Sequence, residues 1–192
     1  MAGSATAQTD THDRTAVVAA PSTQRERLNV RVGQIAAVAG SAATGRTVVL
    51  ERRSGTRWRA LDRARVDATG RYGLRYETTR ASSARVRVRI TGTKAARTAR
   101  MNVYRRTNAS WYGPGLYGNR LACGGTLSAS IRGVAHKTLP CGTRVTLRRG
   151  ARIVRARVVD RGPFAGGREF DLTPAVRHAL GFGSTGTVEV AT

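Results

Sequence analysis

At 192 residues the chain can hold one medium domain or two small ones, and a hydrophobic content of 40% is enough to pack a core. Its 22 glycines and 5% aromatics suit short strands and tight turns, which excludes a helical bundle. The formal net charge of +23 raises a nucleic acid or an anionic surface as partner, but no nucleic-acid module accompanies it, so a specific nucleic acid is not expected, and an acidic polymer of the cell envelope would satisfy the same field.

The charge is spread along the chain. There are 20 basic and 7 acidic residues before Arg105, then 14 and 4 from Arg105 onward. Lys94 and Lys137 are the lysines; every other basic residue is arginine. The two cysteines, Cys123 and Cys141, lack metal-site spacing, and no ligand cluster accompanies them, so neither a metal nor an organic cofactor is expected. In a Gly-rich β-domain the pair reads as a disulfide, which implies an oxidising compartment; two buried free thiols are the alternative. No transmembrane stretch is present. The segment Met1–Thr6 lacks the basic and apolar regions of a signal peptide, so a secreted protein requires that its leader has been removed. A monomer is expected.

Residues 1–26 are rich in Ala, Thr, Ser, Asp and Gln without periodicity, and read as a disordered tail or linker. Over residues 27–104 short alternating runs follow: 28–32, 47–53, 57–61, 71–76 and 85–90. In Val86-Arg87-Val88-Arg89-Ile90 every second residue is apolar, which buries one face and solvates arginine on the other. Ser54-Gly55 and Thr69-Gly70 mark turns. The spacing predicts a small β-sandwich. Residues 93–100 read as its last turn or strand, and Arg105-Arg106-Thr107-Asn108 as the junction to a second domain over 105–192. There, 143–149 and 152–159 alternate around Gly150-Ala151 and predict a hairpin. A helix is signalled by Thr173 as N-cap, Pro174 at the first position and Gly181 beyond the end, and residues 185–190 give a final strand.

Five segments occur in order: Ala109-Ser110-Trp111-Tyr112-Gly113, Ala135-His136-Lys137-Thr138-Leu139-Pro140, Gly142-Thr143-Arg144-Val145, Asp160-Arg161-Gly162-Pro163-Phe164 and Phe170-Asp171-Leu172-Thr173. Together they resemble the signature segments of RlpA-like double-psi β-barrels, a family that includes peptidoglycan lytic transglycosylases and is distantly similar to expansins, which loosen walls without hydrolysis. Residues 45–74 loosely resemble secreted bacterial immunoglobulin-like modules. The resemblance implies an all-β chain: an immunoglobulin-like β-sandwich, then a six-stranded double-psi barrel with one short helix. It also implies a secreted or wall-associated protein whose partner is peptidoglycan or another anionic wall polymer.

Asp160 matches the family's catalytic aspartate, His136 its active-site histidine, and Asp171 the groove aspartate of expansin-like relatives. Glycosidic cleavage needs a proton donor for the leaving oxygen, and a lytic transglycosylase manages with one carboxyl because the sugar's own hydroxyl attacks. Each residue has a plainer reading as well: a turn cap for Asp160, a backbone-bonded histidine for His136, an organiser of the helix start for Asp171. Glu169 reads as solvated, and His178 and Arg144 as surface. Trp111, Tyr112, Tyr117 and Phe164 are candidate sugar-stacking residues, with Thr138 and Arg161 as further substrate contacts. One departure matters. Transglycosylase relatives carry a glutamate in the segment before the histidine, and Gly125 stands in its place. Both lytic cleavage and non-catalytic, expansin-like binding therefore stay open.

Overall fold

The computed structural model describes residues 20–192. Most of the expected tail lies outside the described residues. Its last part does not behave as a linker: Ser22–Arg27 is a strand, β1. It has no apolar alternation to announce it. Its backbone pairs with the edge of β3 (Ile35–Ser41), itself hard to read because small residues occupy both faces.

β3 also pairs with β6 (Arg71–Glu77), completing a three-stranded sheet. The opposing sheet holds β5 (Arg57–Arg65), β4 (Thr47–Ser54), β7 (Ser82–Ile90) and the first part of β8 (Ala96–Trp111). The short β2 (Asn29–Arg31) lies parallel to β8 on its other side. Val38 and Leu74 from one sheet meet Val48, Leu50, Val86 and Val88 from the other, so the two sheets share one apolar core. The alternation read at 86–90 holds: Val86, Val88 and Ile90 are buried.

β8 is 16 residues long and runs through residues 105–108 without a break. Its first part pairs with β7; from Arg105 it pairs with β13 (Thr185–Ala191). From β13 the second sheet continues through β10 (Arg144–Arg149), β11 (Arg152–Asp160), β9 (Gly133–His136) and β12 (Phe170–Leu172), and β12 pairs back onto β8. Six strands thus close a barrel with no free edge. Val134, Leu147, Val158, Phe170, Leu172 and Val190 fill it.

The single helix, α1 (Pro174–Leu180), covers the barrel with Val176 and Leu180. Gly181 takes the left-handed conformation at its end (φ 58°), as its position implied. Thr173 sits at the N-cap, but its hydroxyl does not cap the helix. It donates to the Ile131 carbonyl at 2.5 Å and accepts from the Gly133 N–H at 3.1 Å, tying α1 to β9.

Candidate functional site

Asp160 lies opposite Ala135 across β11 and β9, Ala135 opposite Asp171 across β9 and β12, and Asp171 opposite Ser110 across β12 and β8. The residues alternating with this row, Val134, Phe170, Leu172 and Ala109, belong to the barrel core, so the row faces outward. One strand separates the two carboxylate-bearing residues, about 10 Å at the backbone. The small Ala135 between them is itself buried, as is Ser110 at the far end of the row.

Asp160 joins this row through a bulge. The β9–β11 register slips between Val158 and Asp160, so Val159 and Asp160 together face Ala135. Gly133 makes that possible, because a Cβ there would sit 2.3 Å from the Val159 side chain. The Asp160 carboxylate is half-buried. Its Oδ1 accepts from the N–H groups of Ala122 and Arg161, both at 2.9 Å, whereas Oδ2 takes no hydrogen bond from the described residues.

Burial pushes the Asp171 carboxyl above the usual range; the Ser110 hydroxyl and Arg168 oppose this, and the Asp160 charge adds to it. Ser110 Oγ donates to Asp171 Oδ1 at 2.6 Å. Tyr112 stands at the same face. Its buried hydroxyl makes no well-aligned hydrogen bond, yet it lies against Asp160: burial, then the Asp160 and Asp171 charges and a contact with the Asp160 carboxyl, hold its proton well above the usual tyrosine range.

His136 lies on the core side, its ring 4.7 Å from that of Phe170. Its Nδ1 accepts from the N–H groups of Thr138 (3.1 Å) and Leu139 (3.0 Å), which leaves the proton on Nε2. Nε2 faces Glu169 Oε1 at 3.3 Å. Both ring nitrogens are engaged, and neither meets Asp160. What His136 holds is the turn after β9.

Glu169 is far from merely solvated. It accepts from both terminal nitrogens of Arg105, from Thr107 Oγ1 at 2.5 Å, and from His136. The Arg105 bonds, with help from Thr107 and His136, outweigh burial and hold its carboxyl down to about 2. Sequence reasoning missed this network because Arg105, Thr107 and Glu169 meet only through the parallel pairing of β8 with β12.

The other expected contacts divide. Phe164 is 82% exposed just beyond Asp160, and Tyr117 is exposed on the loop after a short 3-10 turn at Pro114–Leu116. Thr138 is exposed, with its N–H on His136. Trp111 packs against the core, and the Arg177 guanidinium covers its ring at 4.0 Å, so it does not share the Asp160 face. Arg161 donates to the carbonyls of His136 (3.3 Å) and Leu139 (3.0 Å), and its other terminal nitrogen lies 3.2 Å from Cys141 Sγ. Its guanidinium clasps the 136–141 turn. The Cys123–Cys141 disulfide is formed and holds the loop carrying the Ala122 amide. Gly125 closes a turn there at φ 79°, its carbonyl accepting from the Leu121 N–H.

A family model described as lytic transglycolase matches residues 104–192. This segment is an RlpA-like double-psi β-barrel. Three proteins similar to the RlpA-like segment are "Probable endolytic peptidoglycan transglycosylase RlpA" of Synechocystis, 48% identical over 86 residues, and "Endolytic peptidoglycan transglycosylase RlpA" of Neisseria meningitidis and of Campylobacter jejuni, 41% and 40% identical over 85 and 84 residues. Each alignment covers 43% of this chain and 26%, 36% and 30% of the relative, so the chain spans about a quarter to a third of their lengths. The sandwich lies outside the RlpA match. A solved "Biofilm associated protein - BSP domain" covers 89% of this chain and 24% of its own at a TM-score of 0.31 and 10% identity, too distant to carry an argument.

Proposed function

We propose that the RlpA-like barrel cleaves the glycan strands of peptidoglycan by lytic transglycosylation, with Asp160 as general acid and base. The observation that carries this is the placement of the Asp160 carboxyl: two amides fix Oδ1, no backbone or side-chain N–H of the described residues reaches Oδ2, and the half-buried group shares one outward row with Asp171. In the first half of the reaction Oδ2 delivers a proton to the glycosidic oxygen as its bond to C1 breaks. In the second the sugar's own C6 hydroxyl bonds to C1 and returns its proton to Asp160, so no water is consumed. Asp171 and Tyr112 stand beside Asp160. Burial of Asp171, and the Asp160 charge beside it, disfavour its charged form. The names of the relatives support the substrate class. The disulfide supports an oxidising, extracytoplasmic location. Among the described residues no helix is long and apolar enough to cross a membrane.

Two observations favour a second reading, a non-catalytic wall binder: Gly125 supplies no carboxylate, and His136 is committed to its own turn. One experiment separates the two. Pure protein incubated with denuded peptidoglycan should release anhydro-muropeptides detectable by mass spectrometry, and Asp160→Asn should cut the yield by about 10²–10⁴-fold with unchanged wall sedimentation. Sedimentation without anhydro products from the natural sequence means a binder.

A further inference from the structure

Elsewhere in the molecule, carboxylates on the sheet faces are bracketed by arginines. Glu51 takes Arg87 at 2.5 Å and Arg89 at 3.1 Å; Glu189 takes Arg31, and Arg148 at 2.5 Å. In one place the arginines are present and the acid is missing. A cleft of about 540 Å³ between the sandwich and the barrel is lined by Ser83, Arg100, Arg132, Arg144, Arg155 and Arg157. Among the described residues no acidic side chain lies within 4.0 Å of any of these guanidiniums.

The register makes the crowding worse. Arg144 pairs directly with Arg157 across β10 and β11, and Arg85 with Arg100 across β7 and β8. Like charges directly opposed on a sheet face repel. Burial, then the charges of Arg155, Arg144 and Arg85, hold the Arg100 guanidinium below its usual range. Two side-chain bonds to neutral groups are made: Arg100 to Ser83 Oγ at 3.3 Å and Arg157 to the Gly142 carbonyl at 3.3 Å. Neither neutralises anything. A concave site with five guanidiniums on its wall, with Thr192 as the last residue beside Ser83 and with no acidic side chain, is built for a multiply charged anion, and the planar fork of arginine matches phosphate oxygens in pairs.

We propose that this cleft binds a linear phosphodiester polymer of the wall type, a polyol-phosphate chain, at a site separate from the Asp160 face. No aromatic ring lines the cleft, so there is nothing for a nucleobase to stack on. The disulfide places the barrel in an oxidising compartment, away from intracellular nucleic acid. The site does not depend on catalysis at Asp160.

The test uses the full chain and labelled poly(glycerol phosphate) oligomers, titrated at several salt concentrations. Poly-L-glutamate and single-stranded oligothymidylate of matched charge are the competitors. Arg144→Gln, Arg155→Gln and Arg157→Gln together form the cleft variant. Arg57→Gln, Arg59→Gln and Arg63→Gln, three exposed arginines of β5, form the control with the same change in net charge. Thermal unfolding checks that both variants fold. The expected result is at least a 30-fold loss of poly(glycerol phosphate) binding in the cleft variant, a log–log salt slope shallower by about 2, and less than a 3-fold loss in the control. Equal losses in both variants overturn the proposal, because net charge alone then explains binding. Equal or tighter binding of oligothymidylate or of polyglutamate through the cleft arginines overturns it as well, in favour of a nucleic acid or of any polyanion.

Discussion

Asp171 is a half-buried carboxyl, and its surroundings work against the charged form. Because burial raises its folded-state pKa, the folded chain holds that proton more tightly than the unfolded chain does. The cost is absent below the unfolded value of 3.8 and grows as pH rises through the folded one. Asp171→Asn keeps an oxygen for Ser110 and removes the charge. It should raise the Tm at pH 7 and lose that advantage at pH 3.5. Thermal unfolding at the two pH values checks this; a variant less stable than wild type at pH 7 means that the charge stabilises the fold. Glu169 has the opposite sign. With its folded value near 2 against 4.5 unfolded, its contribution is full above pH 4.5 and is lost as pH falls toward 2. Since its side chain is 32% exposed, screening discounts the contribution to about 1–2 kcal/mol. Glu169→Gln should cost that much at pH 7 by urea unfolding and almost nothing at pH 2.

The loops that present Asp160 and His136 depend on one covalent link. Cys123–Cys141 spans 18 residues, which in the loop-entropy picture is worth about 3 kcal/mol. Cys123→Ser with Cys141→Ser should lower the Tm by roughly 6–12 °C. It should also release the Ala122 amide from Asp160, so that anhydro-muropeptide yield falls even well below the melting range; full yield at that temperature would show that the clamp serves stability alone. At this scale much was legible in the sequence. The β10–β11 hairpin, α1 with its Gly181 stop and the cysteine pair all carry local signals: alternation, capping chemistry and spacing. Of the site, Asp160 and Asp171 were legible as motif residues, but their sharing one outward row depends on the bulge at Val159 and on the bare Gly133 beneath it. Nothing local encodes the partners of Glu169, or the fact that β1, a polar strand, finds a sheet edge; both arise from pairing between distant segments.

The two halves are joined by more than the passage of the chain. β8 belongs to both sheets, pairing with β7 before Arg105 and with β13 after it. At that crossing Glu189 of β13 is buried and takes Arg148 from β10 and Arg31 from β2, so barrel and sandwich each supply a guanidinium to one carboxylate. Burial works against the Glu189 charge, yet Arg148 and Arg31 outweigh it and hold the carboxyl below its usual range. Arg148 also lies 4.2 Å over the Tyr104 ring and donates to the Asn29 carbonyl at 3.1 Å. Removing the acid would leave two facing cations at the seam with nothing between them. Glu189→Ala should therefore cost about 1–3 kcal/mol and lower the Tm by roughly 3–9 °C. Calorimetry carries the sharper test. Wild type should melt in one transition whose van't Hoff and calorimetric enthalpies agree, because the shared strand and the Glu189 cluster make the halves one cooperative unit. In the variant the van't Hoff value should fall below the calorimetric one as sandwich and barrel begin to melt separately. If the variant still melts as one unit at the wild-type Tm, β8 alone couples the halves and the cluster is incidental.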